Sequence, residues 1–416
     1  MKKQNTENGY LHKAASGRFI IILIFFIAVS AGFPGNSFGQ KWVGTWSTAP
    51  QLVEPNNMPP EPGLTNNTLR QIVRISTGGK MLRVRFSNEF STSPVTIKGA
   101  SIAVSKGVGV IDKSTVRLLT FNGKGFVTMS PGTAITSDPV RFRVSPRQDL
   151  AITIWFGDTS PDVTGHPGSR TTSCLISGNH LADEDLSGAE KTDRWYVING
   201  IDVKAGKNSA AVAVIGNSIT DGRGSGTNKQ NRWPDILAER LLAGKTTQNI
   251  SVLNMGIGGN CVLRPCLGPS ALDRFERDVL RQHGVRWLII LEGINDLGQA
   301  RDSINAFRVA DDLINAYKTM AGKAHAAGIK VYGATILPVK GSFYYTTYRE
   351  AARQRVNEWI RNNSYFDAVI DFDLVMRDPS DPQSLLPELH TGDFLHPNEA
   401  GYRIMGGSID PGLFLK

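Results

Sequence analysis

Apolar and polar residues alternate along the first part of the chain, from Lys41 to about Ala205. The runs Arg70–Ile75, Met81–Phe86 and Arg141–Val144 place apolar side chains at every second position. A period of two turns one face to a core and the other to water, as in a half-buried strand. Asp149–Phe156 predicts a further strand. Gly78-Gly79 lies between two of these runs and predicts a hairpin turn. No long helical pattern interrupts them, so residues 41–205 are expected to form an antiparallel β-sandwich, jelly-roll-like in arrangement.

From Ser209 the pattern changes. Ala211–Ile215 is a continuous apolar run, as expected of a buried parallel strand. Further strands are predicted at Ile250–Leu253, Val285–Leu291, Ile329–Leu337 and Ala368–Phe372. Helices are predicted between them at Trp233–Leu242, Ala271–Gln282, Ser303–Ala327 and Tyr348–Asn362. Strand and helix alternating with short connections imply a doubly wound α/β sheet over residues 206–416. In such sheets ligands bind at the carboxyl ends of the strands.

A length of 416 residues exceeds one ordinary core and agrees with two domains. Hydrophobic content of 40% and charged content of 20% are globular values. At the N-terminus, Lys2, Lys3, Lys13 and Arg18 precede the apolar run Phe19–Val29, and Ser37 and Gly39 follow it. This predicts a signal peptide over residues 1–39, cut near Gly39–Gln40, and a secreted or periplasmic protein. The apolar run is short for a bilayer crossing, which needs about 20 residues, so no stable membrane span is expected after cleavage. The net charge is +9, and removing the four positive charges and one negative charge of residues 1–39 leaves +6. The basic residues are scattered, which argues against nucleic acid as a partner. Of the three cysteines, Cys261 and Cys266 are close enough to bridge a short loop in an oxidising compartment, leaving Cys174 over. All three could equally be small buried thiols. No histidine stands at zinc-like spacing from a cysteine pair, and neither a metal nor another cofactor is expected.

The chemistry lies where the strands end. After Ile215 comes Gly216-Asn217-Ser218, which puts a serine hydroxyl at the end of the first parallel strand. After Leu253 comes Asn254-Met255-Gly256-Ile257-Gly258-Gly259, whose glycines let backbone N–H groups approach a ligand and hold an oxyanion. After Leu291 comes Glu292-Gly293-Ile294-Asn295-Asp296, where Asn295 can donate its amide to a developing negative charge. Beyond the last strand, Asp393-Phe394-Leu395-His396 places a histidine three residues after an aspartate, a spacing that fits one helical turn. The carboxylate can then orient an imidazole that serves the serine as base. Alone, Ser218 and Asn295 read better as turn or cap residues, the glycine loop has a phosphate site as its rival but lacks the Gly-Lys-Ser/Thr ending of one, and a lone Asp-x-x-His is a weak signal. Together, in this order, they supply the parts of one mechanism.

These four segments resemble the motif blocks of the SGNH (GDSL-like) hydrolase superfamily. Gly216-Asn217-Ser218 resembles its Gly-Asp-Ser block, and Gly259 its block-two glycine. Gly293-Ile294-Asn295-Asp296 is similar to its Gly-x-Asn-Asp block, and Asp393–His396 to its Asp-x-x-His block. The resemblance implies a three-layer α/β/α, flavodoxin-like catalytic domain. It implies Ser218 as nucleophile, His396 as base, Asp393 as its partner, and an oxyanion hole from the N–H groups of Ser218 and Gly259 and the side chain of Asn295. Asn217 stands where the family has an aspartate; it keeps a carbonyl acceptor but loses the charge. Lys41–Pro50 and the β region after it resemble secreted bacterial SGNH esterases with an N-terminal sandwich.

The expected activity is removal of a small acyl group, such as acetyl, from a carbohydrate. A lipase or lysophospholipase is the rival enzyme reading, with Phe343, Tyr344 and Tyr345 as candidate walls of an acyl groove. A catalytically silent glycan-binding protein is the reading from a different class.

Overall fold

The computed structural model describes residues 40–415, so the predicted signal peptide and its cleavage site lie outside the described residues. The first region is built almost wholly of antiparallel strands, consistent with a β-sandwich. One sheet orders Gln40–Ser47, Ile198–Gly206, Gly79–Asn88 and Val140–Val144. The other orders Glu190–Thr192, Ser173–Ser177, Asn67–Arg74, Asp149–Phe156, Val95–Gly107 and Val110–Ile111. Leu82, Val84 and Phe86 of the first sheet share one apolar core with Leu69, Ile152 and Ile154 of the second. Their alternation with half-buried Arg83 and Arg85 is the period of two seen in the sequence.

The hairpin expected at Gly78-Gly79 does not form. The strands on either side of it belong to different sheets: Asn67–Arg74 pairs with Asp149–Phe156 and Ser173–Ser177, whereas Gly79–Asn88 pairs with Ile198–Gly206 and Val140–Val144. Bonds to Thr45 carry the chain across. Ser76 N donates to Thr45 O at 2.8 Å, and Thr77 N donates to Thr45 Oγ1 at 2.9 Å. Glycine is required at 78 for close approach, since a Cβ there would lie 2.5 Å from Val144 O.

A third, small sheet of Gln51–Leu52, Thr164–His166 and Trp195–Tyr196 has no counterpart in the sequence reading. Its strands have two or three residues each, too short to show a period.

The second region holds a five-stranded parallel sheet in the order Ile250–Gly256, Ala210–Gly216, Val285–Leu291, Lys330–Ala334, Ala368–Ile370. Successive residues face opposite ways. Ala213, Ile215, Leu288 and Ile290 pack with the helices Ser303–Ala326 and Thr347–Asn362. Val212, Val214, Ile289 and Leu291 pack with the helices Trp233–Ala243 and Glu399–Ser408. Among the described residues no helix is long and apolar enough to cross a membrane.

The two regions are joined by only Lys207–Ser209 and share packing. Ile250–Gly256 is an edge strand, and such an edge carries unpaired backbone groups. Ser76 satisfies Val252 on both sides: its hydroxyl donates to Val252 O at 2.9 Å and accepts from Val252 N at 3.2 Å. Gly44 N donates to His283 O at 2.9 Å, and Ser251 Oγ donates to Gly44 O at 2.5 Å. Leu253, fully buried, belongs to the sandwich core although it sits on the parallel sheet. Residues Ser209–Lys416 expressed alone would expose Leu253 and this edge, and are expected to be insoluble. Soluble protein hydrolysing a generic ester and a polymeric one at unchanged rates would show the first region to be an independent appendage.

Candidate active site

The fully buried strand Ala210–Gly216 ends at Asn217, which caps the short helix Ser218–Asp221 by accepting Ile219 N at 3.0 Å. The turn sets Ser218 at the floor of an open cleft of about 420 Å³. Ser218 Oγ lies 2.9 Å from His396 Nε2, and His396 Nδ1 lies 2.6 Å from Asp393 Oδ2. Because Nδ1 faces a carboxylate acceptor, it carries the ring hydrogen, and Nε2 is left to accept from the serine hydroxyl.

The one helical turn expected for Asp393–His396 is absent. Asp393 Oδ1 accepts the N–H groups of Leu395 at 3.0 Å and His396 at 2.9 Å, and Phe394 takes a left-handed φ of 58°. A short carboxylate that binds the backbone two and three residues on offers a competing turn in place of a helix. Burial works against the Asp393 carboxylate, but these two N–H groups and the imidazole outweigh it and hold its pKa well below the ordinary range. The His396 pKa is lowered, first by burial and then by the guanidinium groups of Arg223 and Arg170, against the pull of Asp393.

Gly259, at φ 68°, lies on the cleft beside Ser218. The loop after it is closed by a Cys261–Cys266 disulfide, and Cys174 is buried and free. Asp296 holds that loop from below, accepting Val262 N at 2.9 Å and Leu263 N at 3.1 Å. Asn295 Nδ2 donates to Asn260 O at 2.7 Å, and Asn295 Oδ1 accepts from Tyr344 OH at 2.9 Å. Asn295 thus has its orientation set from two sides, with the second Nδ2 hydrogen left over. Ser218, Gly259, Asn295 and His396 all line the cleft, and Asp393 stands behind His396. Phe343 and Tyr344 also line it, whereas Tyr345 turns aside to donate to Gln383 Oε1 at 2.7 Å.

Several residues here carried no signal in the sequence. Arg274 is fully buried; its guanidinium donates to Gly216 O, Met255 O and Asn260 Oδ1 and pairs with Asp278 at 3.0 Å. His166 and Arg170 come from the sandwich region. His166 lies 2.9 Å from Asp221 Oδ1 and 3.0 Å from Ala49 O. Arg170 donates to Gly222 O at 2.6 Å. A lone histidine or arginine among short strands gives no pattern to read. Beneath the serine, Glu292 Oε2 accepts Gly293 N at 3.2 Å and Asn217 Nδ2 at 3.3 Å. Burial pushes the Glu292 pKa up to about 8. Arg274 stands 3.6 Å away but is already engaged by Asp278 and three other acceptors, so it does not hold the charge. Among the described residues no group of three or more His, Cys, Asp or Glu is placed to hold a metal ion.

A serine, a histidine and an aspartate bonded in sequence at the carboxyl end of a parallel sheet, under an open cleft, form the constellation of a serine hydrolase, and together with the acylhydrolase family match this makes the protein a carboxylic ester hydrolase. Residues 214–404 match the GDSL-like lipase/acylhydrolase family. No curated protein matches the sequence. Among solved structures, a lipolytic protein of the G-D-S-L family from Desulfitobacterium hafniense is 24% identical, over 48% of this chain and 97% of its own, with a TM-score of 0.38. An acylhydrolase from Bacteroides fragilis is 22% identical over 50% of this chain and 88% of its own, with a TM-score of 0.36. An acetylxylan esterase from Geobacillus stearothermophilus is 21% identical over 48% of this chain and 93% of its own, with a TM-score of 0.38.

Two outcomes follow from the electrostatics. A histidine base must be neutral, so kcat/KM should rise with pH, and the lowered pKa puts the midpoint below the ordinary histidine value of about 6.5. A midpoint above that value, in assays on a small neutral ester, would contradict the site. Glu292 in the folded protein keeps its proton to about pH 8, far above its unfolded value. The folded state therefore binds the extra proton, and stability falls as pH rises from about 4.3 towards that value. Glu292→Gln should flatten this fall and, near pH 8, raise stability by more than about 1 kcal/mol in urea unfolding. A variant with the wild-type slope would show that Glu292 is already ionised.

Proposed function

We propose that the protein is a secreted serine esterase that removes small acyl groups, most readily acetyl, from a carbohydrate. The observation that carries this reading is the unbroken line of bonds from Ser218 Oγ through His396 to Asp393 at the cleft floor. Ser218 Oγ attacks the acyl carbon while its proton passes to His396 Nε2. His396 then gives that proton to the leaving alcohol oxygen, and the acyl-enzyme remains. Water, deprotonated by the same nitrogen, releases the acid and restores Ser218. Asp393 holds the ring and stabilises its charged form. The N–H groups of Ser218 and Gly259 and the free Nδ2 hydrogen of Asn295 serve the oxyanion.

In this reading residues 206–416 are the catalytic domain, layered α/β/α in flavodoxin-like fashion. Residues 41–205 are a jelly-roll-like accessory domain, and residues 1–39 are the secretion signal. A carbohydrate fits a cleft that is open and lined by both polar and apolar side chains, with Gln51, Glu54 and Asn57 of the sandwich region on its wall. One feature favours a longer acyl chain: Phe343, on the same cleft, is 74% exposed. Rates on aryl esters of increasing acyl length decide between the two, with a fall beyond short chains expected.

Ser218→Ala should abolish hydrolysis while the protein stays folded, a loss that can reach about a millionfold in kcat. A variant keeping a tenth of the wild-type rate would remove Ser218 from the mechanism. Asn295→Ala should lower kcat by roughly a hundredfold or more with little change in KM. A raised KM with kcat held would make Asn295 a binding residue instead.

A further inference from the structure

The cleft holds cationic side chains for which the hydrolysis of a neutral ester has no use. Arg223 and Arg170 both line it. Arg223 is placed firmly: its N–H donates to Ser218 O at 2.9 Å and its carbonyl accepts from Tyr402 OH at 2.6 Å. The glycines on either side, Gly222 and Gly224, have φ of 102° and 99°, and a Cβ on either would strike Arg232 or the Pro397 carbonyl. The backbone is thus held while the side chain is exposed in the cleft. Among the described residues no carboxylate lies within ion-pairing distance of the Arg223 guanidinium, whereas Arg170 has Asp221 at 3.8 Å. The acids lining the cleft are Asp221 and Glu54. Asp221 also faces His166, and the oxygens of Glu54 accept Gln51 Nε2 at 2.6 Å and Asn57 Nδ2 at 2.9 Å.

This arrangement has a cost when the cleft is empty. Both guanidinium groups act against positive charge on His396, the charge that the base acquires as the serine attacks. An anion bound between the arginines and the alcohol side of the ester would offset that field. A second hollow of about 680 Å³ includes Leu263 and Arg264 of the disulfide-closed loop in its lining, together with Arg301 and Arg308. None of these three has a carboxylate within ion-pairing distance among the described residues. Asp296 and Asp312 also line this hollow. Asp296 is turned to the backbone of Val262 and Leu263.

We propose that the substrate is an acylated acidic polysaccharide, with a uronate carboxylate next to the scissile ester held by the exposed guanidinium of Arg223, assisted by Arg170. Neighbouring uronates extend toward Arg264, Arg301 and Arg308. The proposal rests on the esterase reading and names its substrate class. A planar guanidinium pairs two N–H donors with two carboxylate oxygens, and lysine cannot reproduce that fork.

The test compares kcat/KM for the wild-type protein, Arg223→Gln and Arg223→Lys on three substrates. These are an acetylated uronate polymer, an acetylated neutral xylan and a small neutral aryl acetate. The wild type should prefer the uronate polymer over the neutral one by about tenfold or more, the scale of one charge-assisted pair. Arg223→Gln should lower that ratio by about tenfold through KM, Arg223→Lys should restore part of it, and added salt should shrink it in the wild type. A wild-type ratio near one, or a ratio unmoved in Arg223→Gln, overturns the proposal. So does faster hydrolysis of anionic phospholipid vesicles than of the uronate polymer, since the anion would then be a lipid headgroup. Activity on the aryl acetate without uronate preference removes this inference alone. Inactivity on all three removes the esterase reading and this inference with it.

Discussion

The buried guanidinium of Arg274 is the interaction on which the site depends. Parallel strands end with carbonyl groups that the sheet no longer satisfies, and a buried carbonyl without a partner is costly. Arg274 reaches the last residue of the strand before Ser218 at Gly216 O, which also accepts Ile257 N at 3.0 Å, the neighbouring strand at Met255 O and the Gly259 loop at Asn260 Oδ1. Only a rigid fork with several donors can bind three such acceptors at once. Its own charge is held by Asp278 at 3.0 Å, and both side chains are almost wholly buried. Asp278 is also held by Arg277 at 2.6 Å, so it is loss of Asp278 that would leave an uncompensated charge, that of Arg274, in the interior. The serine turn and the Gly259 loop are thereby fixed to each other before any substrate arrives.

From that anchor the polar connections run outward without a gap. Asn260 accepts Asn295 through its carbonyl, and Asn295 accepts Tyr344. On the other side Asn217 caps the serine helix with its carbonyl and points its amide at Glu292. An aspartate at 217, the residue of the family motif, would turn a carboxylate toward a buried carboxyl group. Asparagine supplies a donor in its place, which suits a Glu292 pushed up to about 8. The departure from the motif has a local physical reason, and it leaves the capping bond intact.

The sandwich region is a structural part of the site. Both ring nitrogens of His166 face acceptors, Ala49 O and the Asp221 carboxylate, and Asp221 belongs to the helix that Ser218 begins. Gly168 passes so close that a Cβ there would overlap the Asp221 carboxylate. Arg232, stacked 5.8 Å from the Trp195 ring, donates to Asp221 O at 2.9 Å and to Ser169 O. Charges and packing from the antiparallel strands therefore steady the helix that Ser218 begins and form one wall of the cleft.

The sequence by itself determined what depends on period and on local chemistry. Alternation marked Met81–Phe86 as a half-buried strand, and the continuous apolar run Ala211–Ile215 marked a buried parallel one. Because such strands end on one edge of the sheet, the residues after them were legible as one cluster, and Ser218, Gly259, Asn295 and His396 lie on one cleft. Tertiary structure decided what depends on which surfaces meet. Gly78-Gly79 crosses between sheets because Thr45 binds the backbone of Ser76 and Thr77, a contact made by residues about thirty positions away. Asp393–His396 is a carboxylate-bound turn because Asp393 Oδ1 satisfies the N–H groups of Leu395 and His396 in place of helical carbonyls. His166, Arg170, Arg223 and Arg274 carry no period and no spacing. Their roles follow only from the partners that folding brings within hydrogen-bond reach, and from the burial that makes each unpaired charge expensive.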